Sequence, residues 1–351
     1  MHSHQTYLQR CIDLARLGAG SVSPNPMVGS VIVCDDKIIG EGFHRVYGQS
    51  HAEVNAINQV FETHDNANEL LKRATIYVNL EPCSHYGKTP PCADLIISNE
   101  IPRVVIGCRD PFDQINGKGI EMLRNAGVDV LEGIMTEQCK DINKRFFTRI
   151  QKQRPYIILK WAQSSDGFFA PNNRSQRWIS SQTAKQLVHQ WRTQEDAILV
   201  GKNTVLSDNP RLNSREWPGR DPIRIIIDRR LELPDNLHIF DQSQDTLIFN
   251  ERKTDVVGKI KYLQVEDFDN YLPQLIAYQL YLMDVQSLIV EGGAETLNLF
   301  IKAGLWDEAR IFTGPESWNS GIPAPKLLGM AGETQNIGPD VLNIWFNKEI
   351  I

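Results

Sequence analysis

Four side chains that the sequence scatters must converge in the fold, and they narrow the architectures open to the chain: His51 and Glu53 in HAEVNA, Cys83 and Cys92 in EPCSHYGKTPPC. One imidazole and two thiolates suit a zinc ion, which takes soft and borderline ligands. Three protein ligands leave the fourth position to water, as in a catalytic site, and Glu53 would then carry protons rather than bind metal. A structural zinc clip is the competing reading. It needs a fourth protein ligand, for which His85 and Cys108 are the candidates. HAEVNAINQVF reads as a helix carrying His51 and Glu53 in its first turn, and Cys83 follows the apolar strand ATIYVNL. The fold must therefore bring a helix start beside a strand end, as a layered α/β sheet does.

The rest of the chain agrees with that class. Residues 3–19 place apolar side chains at helical spacing and stop at Gly18 and Gly20; SVIVCDDKIIGEGFH reads as two strands around an Asp-Asp turn. Residues 92–99 read as a helix, RVVIGCRD as a strand, and a further helix and the short strand VDVLEG follow. Residues 137–154 read as one basic helix with a solvated face, running into a linker closed by Pro155. The domain boundary is placed near residue 150, because a chain of 351 residues exceeds one ordinary core. Beyond it the strand YIILKWAQ, the loop SQRWISS, a helix from Gln182 to Thr193, the strands RIIID and DTLIFN, and the strand–Gly pair–helix SLIVEGGAETLNLFIKAG again form an α/β domain.

Charge and cysteine usage bear on partners. Residues 1–150 hold 15 basic and 18 acidic side chains, residues 151–351 hold 22 and 25, so neither half has the basic balance of a nucleic-acid binder. A small-molecule substrate is expected, with no nucleic acid and no membrane partner. No run approaches the ~20 apolar residues of a membrane helix, and the start lacks a signal peptide's apolar core. All six cysteines precede residue 140, two of them placed as metal ligands, which suggests a reducing cytoplasm. The oligomeric state is left open, a homo-oligomer included.

HAE followed by EPC matches the H-x-E and P-C elements of zinc nucleobase deaminases, but eight residues rather than two separate the cysteines. SPNPMVG, GFH, HAEVNA and EPCSHYGKTPPC together resemble the deaminase half of the bifunctional riboflavin-biosynthesis deaminase–reductases, whose longer insert ends in HxGxTPPC. The resemblance implies a cytidine-deaminase-like α/β/α domain over residues 1–150, with Asn25 and His44 at substrate positions. It also implies hydrolysis of the 2-amino group of 2,5-diamino-6-(5-phosphoribosylamino)pyrimidin-4-one.

In the second half, Gly292-Gly293 between a strand and a helix can let backbone donors approach a phosphate, and Glu291 stands beside that cradle. LVGKNTVLSDNPRLNSR gathers Thr204, Asp208, Arg211 and Arg215, a polar set that fits a sugar phosphate. These stretches resemble the reductase half of the same family, implying a dihydrofolate-reductase-like α/β domain over residues 151–351 that uses NADPH to reduce the ribosyl group to ribityl. By that resemblance Lys160, Gln176, Arg192, Leu212, Arg215 and Glu291 fall at substrate positions. Gln163, Trp178, Thr204 and Asp208, with Gly293, Ala294, Glu295, Thr296, Leu297, Asn298 and Leu299, fall at NADPH positions. Gln163 and Arg229 depart from the small residues expected there, and Arg229 is read as a reader of the cofactor's 2′-phosphate. The register of residues 314–325 stays open. Two rivals stand beside this reading: a nucleic-acid deaminase with an accessory domain, which needs a basic groove, and a non-catalytic zinc-stabilised binding protein, in which Glu53→Gln would change no activity.

Overall fold

A computed structural model describes residues 3–85, 90–112, 115–173, 177 and 179–347, and divides the chain into two compact units, Met1–Lys152 and Gln153–Ile351. The first unit runs α1 (His4–Arg16), β1 (Gly29–Cys34), β2 (Lys37–Phe43), α2 (Ala52–Thr63), α3 (Ala67–Leu71), β3 (Thr75–Leu80), α4 (Cys92–Ser98), β4 (Arg103–Cys108), α5 (Lys118–Asn125), β5 (Asp129–Glu132), α6 (Thr136–Ile142) and α7 (Lys144–Lys152). Its sheet has the order β2-β1-β3-β4-β5, with β3, β4 and β5 parallel and β1 antiparallel to both neighbours. Asp35 and Asp36 both take positive φ, the conformation of a two-residue hairpin turn whose twist matches the strands.

All six residues of β1 are buried because both faces of the sheet are covered. Val31 and Val33 pack on Leu8, Cys11 and Leu14 of α1, whereas Ile32 and Cys34 pack on Ala56, Ile57 and Val60 of α2. Alternation along one strand thus makes a three-layer α/β/α unit. Gly42 seats α2: a Cβ there would lie 2.4 Å from both the Ala52 carbonyl oxygen and the Ala56 nitrogen. The missing side chain lets the first turn of α2 lie on β2, which sets the height of His51 and Glu53.

The single basic helix expected over 137–154 is two helices. Asn143 breaks it, because its carboxamide turns inward, accepting from the Met27 N–H at 2.8 Å and donating to the Met27 carbonyl at 2.9 Å. That tertiary pair outweighs helix propensity at one residue.

The second unit runs β6 (Tyr156–Gln163), β7 (Phe168–Ala170), α8 (Gln182–Gln194), β8 (Ala197–Gly201), α9 (Lys202–Asp208), β9 (Ile223–Ile227), a 3₁₀ turn (His238–Phe240), β10 (Thr246–Asn250), β11 (Asp255–Val257), β12 (Ile260–Gln264), α10 (Leu272–Leu282), β13 (Ser287–Gly292), α11 (Ala294–Lys302), β14 (Glu308–Thr313), β15 (Ile322–Pro323), β16 (Gly329–Ile337) and β17 (Asp340–Asn347). Its main sheet has the order β11-β12-β10-β9-β8-β13-β6-β14-β17-β16. The strands from β12 to β14 are parallel; β11 and the β16–β17 hairpin add antiparallel edges. The central strands are apolar on both faces, as a covered parallel sheet requires, with Leu199, Val290 and Leu159 on one side and Ile198, Ile289 and Ile158 on the other. Segment 314–325 takes its register from Asp166, which accepts from the Asn319 N–H at 2.7 Å and the Ser317 hydroxyl at 2.8 Å, and from the pairing of Ile322 with Ala170. Among the described residues no helix is long and apolar enough to cross a membrane.

Candidate active sites

In the first unit His51 is the N-cap of α2 and makes no side-chain capping bond, so its ring faces outward from the helix start. Its Nδ1 lies 3.3 Å from Cys92 Sγ and 3.6 Å from Cys83 Sγ, and the three donor atoms all lie within 4.8 Å of one another. A tetrahedral zinc, at about 2.1 Å from nitrogen and about 2.3 Å from sulfur, would separate N and S by about 3.6 Å. The donor set therefore fits zinc in chemistry and in spacing. Among the described residues no fourth ligand joins the group; His85 and Cys108 lie outside it. Cys108 is instead buried, donating to the Asn79 carbonyl.

Electrostatics separate the two thiols. The Cys92 thiol beside it, with the His51 ring, holds Cys83 down to about 4, and the Cys92 N–H at the start of α4 also donates to Cys83 Sγ at 3.3 Å. Cys92 keeps the shared proton and titrates higher. Glu53, 3% exposed, is pushed up by burial, with Cys92 as its side-chain neighbour. A carboxyl raised in this way binds a proton more readily, as a proton carrier must. His44 stands edge-on to His51, ring centroids 5.6 Å apart, with its Nε2 3.1 Å from Asn25 Nδ2 and its Nδ1 3.1 Å from the Ser50 carbonyl. Burial lowers His44, so its ring is neutral. Asn25 and His44 thus meet as a pair beside the zinc set.

Glu81 was not singled out as a site residue. Its carboxylate accepts backbone N–H bonds from Asp110, Gly117, Gly119 and Ile120, tying the start of α5 to the residue two before Cys83. Nothing in EPC itself reveals those partners, which lie far along the chain.

In the second unit a cavity of about 1170 Å³ opens at the carboxyl ends of β6, β8, β9 and β13. It is lined by Lys160, Arg192, Thr204, Asp208, Leu212, Arg215, Glu291, Gly293, Ala294, Glu295, Thr296 and Leu299, among others, so most of the expected positions come together. Its centre is an ionic triad whose side chains are 10–17% exposed. Arg192 donates from Nε and Nη2 to Glu291 at 3.0 and 2.8 Å, and Lys160 Nζ stands 4.0 Å from the same carboxylate. Burial would raise Glu291, but the charges of Arg192 and Lys160 outweigh it and hold the carboxyl at about 2. Burial lowers Lys160. Leu212 takes a left-handed φ of 55°, which turns the Asn213 carbonyl toward Arg192 Nη1 at 3.0 Å.

One wall of the cavity is built from backbone. Gly201, the N-cap of α9, lies so close to Thr296 that a Cβ would come within 2.4 Å of its hydroxyl. The Gly292–Gly293 peptide is cis, and Gly293 is the N-cap of α11. Gly293 to Thr296, the start of that helix, lines a cavity larger than the ~300–1,000 Å³ of ordinary ligand sites, room for a cofactor and a sugar phosphate together.

Some expected positions fall elsewhere. Leu297 is fully buried in the main core, and neither Asn298 nor Gln163 lines the cavity; Gln163 accepts from the Trp161 indole at 3.0 Å. Gln176 and Trp178 lie outside the described residues. Arg229 does line the cavity, but Asp269 takes both of its terminal nitrogens at 2.6 and 2.8 Å and Glu251 accepts at 2.6 Å. Two carboxylates already neutralise it, which argues against the phosphate-reading role. His189 was missed. The signal for it was available: Lys185, His189 and Arg192 follow helical spacing and share one face of α8.

Comparison with known proteins agrees with this geometry. Residues 1–108 match the cytidine and deoxycytidylate deaminase zinc-binding region, and residues 155–317 match the RibD C-terminal domain. The riboflavin biosynthesis protein RibD of Aquifex aeolicus is 39% identical over 322 residues, 91% of this chain and 88% of its own. That of Bacillus amyloliquefaciens is 38% identical over 351 residues, 97% of this chain and 92% of its own. A solved diaminohydroxyphosphoribosylaminopyrimidine deaminase/5-amino-6-(5-phosphoribosylamino)uracil reductase from Thermotoga maritima superposes with a TM-score of 0.89 at 33% identity, covering 98% of both chains. The chain belongs to the RibD family of bifunctional zinc-dependent deaminases and NADPH-dependent reductases of riboflavin biosynthesis.

Proposed function

We propose that residues 1–150 hydrolyse the 2-amino group of 2,5-diamino-6-(5-phosphoribosylamino)pyrimidin-4-one, and that residues 151–351 then reduce the ribosyl group of the product to ribityl. The observation that carries the first step is the open three-donor set, His51, Cys83 and Cys92, with the buried Glu53 carboxyl beside it. Zinc, when bound by these three residues, supplies the Lewis acidity that brings a water's pKa to about 7. Glu53 takes the proton that this water gives up and delivers it to the departing amine, so ammonia leaves and a ring carbonyl remains. Asn25 and His44, a neutral hydrogen-bonding pair, orient the pyrimidine.

In the second unit NADPH supplies the hydride, and the residues around the cavity hold the sugar for it. Lys160, kept beside Glu291, donates to an oxygen of the ribosyl group, while Thr204, Asp208 and the N-terminus of α11 hold the cofactor. The ligand is a small phosphorylated pyrimidine rather than a nucleic acid. Six free cysteines, two of them metal donors, suit the cytoplasm. The test is purified chain with the diaminopyrimidinone phosphate, with and without NADPH, following ammonia, cofactor absorbance and metal content. Ammonia should appear without NADPH, and NADPH oxidation should require the deaminated product. Zinc-loaded protein that releases no ammonia would overturn the assignment.

A further inference from the structure

One face of α8 forms a wall of the reductase cavity with Lys185, Val188, His189 and Arg192. His189 is only 2% exposed, yet among the described residues neither ring nitrogen has a hydrogen-bond partner, Nδ1 being fully buried. Buried polar atoms are nearly always hydrogen-bonded, so such an exception asks for a partner. The charges that face it are Arg192 on its own helix, Arg215 and Glu216 on the following loop, and Glu291 at the end of β13. Three of these are matched: Glu291 with Arg192, and Glu216 with Lys185 at 2.5 Å. Arg215 donates only to the Asn213 side chain among the described residues, at 3.1 Å, and Arg211 adds its charge nearby. Lys160 adds a further cation to the Glu291 cluster. The surroundings of the ring are therefore cationic in excess, with an imidazole able to hydrogen-bond and nothing among the described residues bonded to it.

We propose that His189 is a third ligand, beside Arg192 and Arg215, for the phosphate monoester of the reductase's substrate. This rests on the reading of the second unit given above and assigns one end of its cavity. Burial and the two guanidinium charges hold the free ring at about 4, so it is neutral near pH 7. A phosphate dianion reverses the local charge and favours the imidazolium, so the ring takes up a proton as the ligand binds. Affinity then falls as pH rises through the raised value of the bound state.

The test is calorimetry of the full chain with ribose 5-phosphate, and with ribose as control, in buffers of different ionisation enthalpy. Wild type should take up about one proton more per ribose 5-phosphate than His189→Asn, and ribose should show no difference. In turnover, His189→Asn should raise KM for the deaminated substrate ~10–100-fold at nearly constant kcat, with KM for NADPH unchanged. His189→Gln serves if the first variant loses its native indole fluorescence. Equal proton uptake by wild type and variant overturns the proposal, as does a rise in KM for NADPH in place of the sugar phosphate. Wild type that binds ribose 5-phosphate with proton uptake but never oxidises NADPH would keep this site and overturn the reductase reading instead.

Discussion

Glu291→Gln is a sharp test of the ionic triad in the reductase unit. The carboxyl is held at about 2 against an ordinary value of 4.5, a depression of about 2.5 units, or about 3 kcal/mol of folding stability at neutral pH. Because the folded value is depressed, that stability is present above the unfolded value and is lost as pH falls from about 4.5 toward 2; by pH 3 about 1 kcal/mol remains. Removing one member of a buried pair typically costs about 3–5 kcal/mol. The lower figure applies here, because Arg192 keeps the Asn213 carbonyl as an acceptor and its guanidinium is not fully buried. The readout is available without separating the units: all seven tryptophans lie beyond residue 152, so indole fluorescence reports the second unit alone. With a urea slope of ~2 kcal/mol/M, the variant's midpoint at pH 7 should fall by roughly 1–2 M, and the gap should narrow at pH 3. Superimposable urea curves at pH 7, or a gap that does not depend on pH, would refute the triad's role.

Other changes separate the two activities. Glu53→Gln should keep its zinc and lose ~10²–10⁴-fold in ammonia release, with NADPH oxidation on the pre-deaminated substrate intact; full deamination would favour a zinc-stabilised binding role. Gly42→Ala forces α2 off β2 and should cost about 1–3 kcal/mol in the first unit, seen as faster zinc loss to a chelator with the tryptophan transition unmoved. Arg224→Met strands the Arg211 and His238 carbonyls that the fully buried guanidinium satisfies and takes the cation from Asp241, which keeps its bonds to Ser243; it should cost about 3–5 kcal/mol in the indole-detected transition.

What could be read without coordinates was the chemistry that depends on residue identity. His51, Glu53, Cys83 and Cys92 are legible because few other residue types bind zinc or carry its protons. The apolar strands ATIYVNL and SLIVEG are legible because a parallel sheet buries both their faces. The β16–β17 hairpin escaped because GMAGETQNI is exposed along nearly its whole length and carries no apolar alternation; its ladder to Asp340–Asn347 holds it as a strand. The break at Asn143 and the neutralisation of Arg229 share a cause. Their partners, Met27 for one and Glu251 and Asp269 for the other, are distant in sequence, and no local pattern announces them.

The two units place their sites by the same device. In the first, the carboxylate of Glu81 follows directly on β3, gathers the N–H groups at the start of α5, and the chain then reverses through Pro82 into Cys83. In the second, the carboxylate of Glu291 stands at the end of β13, gathers Arg192 from α8, and the chain reverses through Gly292 into the N-terminus of α11. A carboxylate at the exit of a covered strand couples the next turn to an element remote in sequence. The ligand-binding residue comes one or two positions later, so its place follows from that bond rather than from the loop it starts. In EPC and in EGG the first residue therefore fixes where the following ones point.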